Sequence, residues 1–245
     1  LLAYFLHWGL FGTLCIQLYL YYEAFPNDRA ANKYLVYGVC SIEIVQTMLV
    51  THDGFAMFAY GFGNVEALTT MYFNWLTVPI MSGITAFIGQ SFYAFRIHVL
   101  SKRWILPGLI VCISLTSTVG GIITGVYSFE GASSSVPANP RLQVWCGASA
   151  LSDILIAISM TYFLTRHNTS FRQTRVLISR LVRLTIETGS ITALVALANL
   201  MLFFAYPGQS FYATPALIMP KLYANTILVV LNARFEITGG RSAST

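Results

Sequence analysis

Seven runs of about twenty mostly apolar residues, separated by short polar links, dominate this 245-residue chain. An α-helix needs about 20 apolar residues to cross the hydrocarbon core of a bilayer. Inside lipid a backbone must satisfy its own hydrogen bonds, so such runs can only be helices. The expected spans are Leu1 to Tyr22, Tyr34 to Asp53 (extending towards Phe58), Thr70 to Val99, Trp104 to Tyr127, Gln143 to Thr165, Leu181 to Tyr206, and Thr214 to Phe235. Composition agrees: 56% of residues are hydrophobic, 9% are charged, and mean hydropathy is +0.66. Soluble domains carry about 25% charged residues. The chain therefore reads as one all-α membrane domain over residues 1–237, with a small, polar, disordered tail at 238–245. Leu1 already lies inside an apolar run, so the first span is expected to lack its preceding tail.

Charge placement orients the bundle. All but two of the 14 Lys and Arg fall in one set of links. The exceptions are Arg141 and Lys221. Basic loops stay in the cytosol, which with seven spans sets the N-terminus outside and the C-terminus inside. The sequon at Asn168, Thr169 and Ser170 then lies inside and should carry no glycan. The +5 net charge does not point to nucleic acid, because these basic residues flank apolar spans. A multi-pass protein of the plasma membrane is expected.

Ionisable residues within spans are costly, about 2.5 kcal/mol or more at mid-bilayer, and mark candidate sites. Glu43 is ten residues beyond Lys33, about 15 Å into the membrane. Asp153 is near the centre of the fifth span, and Lys221 is about 10 Å from the outer end of the seventh. Asn225 shares the Lys221 face, four residues on. These four form the candidate interior polar site, expected to face one cavity opening outward. Arg183 and Glu187 are an i, i+4 pair at the inner interface. Arg96 and Arg234 close the third and seventh spans and are expected to anchor at headgroups. His7, Gln17, Gln46, Asn74, Gln90, Asn199 and Asn232 suit interhelical hydrogen bonding. The parallel placement of Glu43 and Glu187, and of Arg96 and Arg234, is too thin to define an internal repeat.

Several stretches resemble a fungal seven-helix membrane family carrying domain of unknown function 6534. They are Ser152-Asp153, FRQTRVLISRLVR from Phe171 to Arg183, TIETG from Thr185, and KLYANTILVVLNAR from Lys221 to Arg234. YLYYEAFPNDR at Tyr19 and GQSFYAFRI at Gly89 also fit. The resemblance implies a seven-span fold and a fungal membrane setting, and it implies no activity.

The residues favour a receptor-like or sensory protein with an outward-facing site between helices, although the third and seventh spans lack the usual G-protein-coupled receptor motifs. The alternative is a small-solute or proton-coupled transporter using Glu43 or Asp153. Retinal attachment at Lys221 is disfavoured by its outer position and by the absence of a carboxylate on the third span. No catalytic constellation is present, and His7, His52, His98 and His167 are too dispersed to hold a metal together. Cys15, Cys40, Cys112 and Cys146 suggest neither disulfides nor a zinc site. No cofactor is expected. The partners are the bilayer and an unidentified small molecule, with the oligomeric state undetermined by sequence.

Overall fold

The computed structural model describes residues 1–63, 72–130, 140–166, 189–202, 204–205 and 213–234. All regular structure among the described residues is helical. Helix α1 is Leu2–Ala24, α2 is Ala30–Phe55, α3 is Ser82–Ser101, α4 is Ile105–Glu130 and α5 is Pro140–Arg166. A shorter apolar helix, α6, is Gly189–Leu202, and α7 is Ala213–Asn232. Six of the described helices are long and apolar enough to cross a membrane.

The second and third spans each contain a wider turn. α2 continues as a π-helix over Ala56–Tyr60, and α3 is preceded by a π-helix over Leu76–Met81. Pro79 sits inside the latter and offers no backbone donor. The sequence leads to a kink at Pro79; here the irregularity takes the form of π-type winding across the whole turn. The Thr77 carbonyl accepts from Gln46 Nε2 at 2.9 Å and from Ser82 Oγ at 3.2 Å. Side chains thus support this turn where its own ladder is weakest. Asp53 secures the entry to the third span, accepting the Phe73 backbone N–H at 3.2 and 3.1 Å.

The molecule is apolar outside and polar within. Phe5, Ile16, Met48, Phe95, Ile105, Ile158 and Leu194 are exposed, whereas His7, Glu43, Gln46, Gln90, Asp153 and Lys221 are buried. Water would penalise such a surface, and hydrocarbon would not. The six long helices and this polarity together describe a multi-pass membrane protein.

Helix α7 is central. It packs against α1, α2 and α3, and 78% of its apolar stretch is buried, against 11% for α1. Helix α4 packs against both α3 and α5. Gly121 and Gly125, one turn apart, let the third span come close. A Cβ on Gly125 would lie 2.6 Å from Ile80 Cγ1 and 2.8 Å from the Trp75 carbonyl oxygen. One on Gly121 would lie 2.8 Å from the Pro79 carbonyl oxygen. Close helix approach through small residues is the usual way to gain packing in lipid. Gly125→Val should cost about 1–3 kcal/mol through overpacking, read as a lower unfolding midpoint in detergent. Unchanged stability would mean that the two spans separate freely.

Candidate functional site

Helix α7 carries Lys221 and Tyr223, and both are fully buried. Residues two apart on a helix point to nearly opposite sides. A helix surrounded by others can therefore bury a polar group on each side. That geometry divides the candidate residues into two clusters rather than one.

The first cluster joins α7 to α1 and α2. Lys221 Nζ is 2.7 Å from Glu43 Oε2, with both side chains 0% exposed. It also donates to the Glu43 backbone carbonyl at 2.9 Å and to Thr47 Oγ1 at 2.6 Å. An ammonium has three hydrogens, and three oxygens of α2 surround this one. The Phe11 ring lies 4.9 Å from the same nitrogen, within cation–π range. His7 Nδ1 donates to the Leu217 carbonyl at 3.2 Å, and its Nε2 is 3.4 Å from Thr47 Oγ1. Leu217 belongs to the turn that Pro220 interrupts. Asn225 extends the cluster by donating to the Leu10 carbonyl at 3.0 Å and accepting from Thr13 Oγ1 at 2.9 Å.

The second cluster joins α7 to α3 and α5. Tyr223 Oη is 2.6 Å from Asp153 Oδ1 and 2.5 Å from Oδ2. Gln90 Nε2 donates to Asp153 Oδ1 at 3.0 Å and to Tyr223 Oη at 3.2 Å. Gly89 makes this approach possible, since a Cβ there would sit 2.8 Å from Tyr223 Cδ1. Asp153 is buried and is not paired with Lys221; the phenol and the amide meet it instead.

A third group ties the C-terminal end of α7 to the α1–α2 link. Arg234 Nη2 donates to Asp28 Oδ2 at 2.7 Å, and Nη1 reaches Oδ1 at 3.4 Å. Tyr21 Oη donates to Oδ2 at 2.8 Å, and Asn32 Nδ2 donates to both oxygens at 3.1 Å. The Arg234 guanidinium lies 4.8 Å from the Phe25 ring centre. The Arg234 guanidinium is thus held by a carboxylate of the protein. The Arg96 guanidinium sits 5.1 Å from the Phe92 ring centre. Arg183 and Glu187 lie outside the described residues.

Burial would raise the Asp28 carboxyl, but hydrogen bonds from Arg234, Tyr21, the Arg29 backbone and Asn32 outweigh it. They hold it well below the usual carboxylate range. A carboxyl lowered in the folded state stabilises fully above its unfolded value and loses that contribution as pH falls towards the folded one. The pair is partly open, with side chains 30% and 9% exposed, so its contribution is about 1 kcal/mol. The stability gap between the native chain and Arg234→Gln should stay constant from pH 7 to 5. It should close as pH drops below about 4, followed by unfolding in detergent. A gap that persists unchanged to pH 3 would contradict the assignment.

Tyr223, Thr47, Asp28 and Asp53 are absent from the sequence-derived site. A buried Asp153 without a same-helix cation was the available signal for Tyr223, because an intramembrane acid needs a donor from another helix. Among the described residues no group of three or more His, Cys, Asp or Glu is placed to hold a metal.

Residues 149–236 match the model of a family described as a family of unknown function, DUF6534. No curated protein and no solved structure matches the chain. The matched segment supplies Asp153, Lys221, Tyr223, Asn225 and Arg234. Glu43, Gln90 and Asp28 come from the part of the chain before it.

Proposed function

We propose that this is a receptor-like or sensory membrane protein of seven spans, with its N-terminus outside and its C-terminus in the cytosol. The closed Lys221–Glu43 clasp is the observation that carries this reading. A buried ion pair adds little net stability over an apolar pair, yet breaking it by losing one partner is costly. It suits a contact that holds one arrangement of α7 until a ligand between the helices competes for it. The inner end of the same helix meets Asp28, so movement at the clasp has a route to the cytosolic face.

A proton-coupled carrier is the second reading, favoured by Asp153 buried between three helices. One experiment separates the two. Purified protein is screened against small molecules by thermal shift, since a ligand stabilises the state it binds. Hits are then tested for uptake into proteoliposomes under a pH gradient. A receptor gives stabilisation without uptake. Uptake that Asp153→Asn abolishes would replace the receptor reading with the carrier. Glycan on Asn168 would overturn the orientation.

A further inference from the structure

Four groups close on the Lys221 ammonium, and none of them belongs to α7. Glu43 Oε2 lies at 2.7 Å, the Glu43 carbonyl oxygen at 2.9 Å and Thr47 Oγ1 at 2.6 Å, all on α2. The Phe11 ring of α1 lies 4.9 Å away. Each presents electron density to the nitrogen. The Thr47 hydroxyl donates its hydrogen to the Glu43 carbonyl at 2.7 Å, so its lone pairs are left for the ammonium. An aromatic face attracts a cation. Helix α7 supplies only the charge, on a flexible four-carbon stem. Helices α1 and α2 also pack directly on each other, so the cradle has its own support.

These groups select what can take the place of Lys221. An anion would meet the Glu43 carboxylate. A neutral alcohol would leave that carboxylate buried with no opposing charge, which is costly. A quaternary ammonium has no N–H for the three oxygens. A primary ammonium brings one charge and three hydrogens in the compact form that the cradle already holds.

We propose that the α1–α2 cradle is a binding site for a primary ammonium group, filled in this structure by Lys221, and that the ligand class able to open the clasp is a primary amine. The role given to the amine rests on the receptor-like reading; the cradle itself does not. A tethered lysine outcompetes a free amine that makes the same contacts, because its effective concentration is high. The native ligand therefore needs contacts beyond its ammonium.

The test removes the tether. Lys221→Ala deletes three methylenes and the ammonium, the outline of n-propylammonium. The melting midpoint of the purified variant in detergent is followed as n-propylammonium chloride is added. Binding to the folded state should raise it by about 3–5 °C. n-Propanol has the size without the charge, and tetramethylammonium has the charge without the hydrogens; neither should raise it. Adding Glu43→Gln to Lys221→Ala should abolish the rise. The native chain, with its cradle filled, should move by less than about 1 °C. No rise in Lys221→Ala, or an equal rise with n-propanol or in the native chain, overturns the proposal. Should the variant be too unstable to purify, its folded yield from cell-free synthesis into nanodiscs is compared with and without the amine. A yield that the amine does not raise overturns the proposal equally. Rescue of Lys221→Ala reports on the cradle, whereas proteoliposome uptake by the native chain reports on the receptor reading, so the two fail separately.

Discussion

Replacing Lys221 by Met should lower stability by about 3–5 kcal/mol, because it leaves Glu43 buried with no opposing charge. Nothing nearby takes over. The Glu43 side chain is 0% exposed, and the other neighbours of the ammonium, Thr47 Oγ1 and the Glu43 carbonyl, bring no positive charge. Glu43→Leu should be damaging for the mirror-image reason. The two together should recover most of the loss, since an apolar pair of similar volume substitutes well for a buried ion pair. A double-mutant cycle on reversible unfolding in mixed micelles measures the coupling. Additive losses would show that the two charges do not depend on each other, and the clasp would fall with them.

Tyr223→Phe should cost about 2–3 kcal/mol, the second-largest loss expected. The change keeps the ring against Gly89 and removes only the hydroxyl. Asp153 then keeps the Gln90 amide on one oxygen and loses the donor that reaches both. The loss of a hydrogen bond to a buried acid exceeds that of a neutral pair. Asp153→Asn in the Tyr223→Phe background should recover part of it, because an amide tolerates fewer donors. The same unfolding assay reads both variants. A Phe variant as stable as the native chain would mean that the phenol only fills space.

The helices were legible because lipid permits so few alternatives: apolar length alone marks a span. Glu43, Asp153 and Lys221 were legible for the same reason, as charges where charges are expensive. Their partners were not. Lys221 lies 178 positions from Glu43 and Tyr223 lies 70 from Asp153, and spacing along a chain says nothing about which helices meet. Tyrosine also reads ambiguously, because most tyrosines in membrane proteins sit at the interface, whereas Tyr223 is fully buried. The π-winding around Pro79 was hidden too. A proline announces a missing donor, but neighbouring helices decide how the turn adjusts, here through Gln46.

The enclosure of α7 has a consequence for how the protein is made. A segment bearing a lysine, an asparagine and an internal proline is a poor candidate to enter lipid alone. Its polar groups find their partners on α1, α2, α3 and α5, all synthesised earlier. Helix α7 therefore depends on these earlier helices waiting for it, and its order of assembly follows from order of translation. A chain that lost α2 would forfeit more than one span, because α7 would arrive with its charge unanswered.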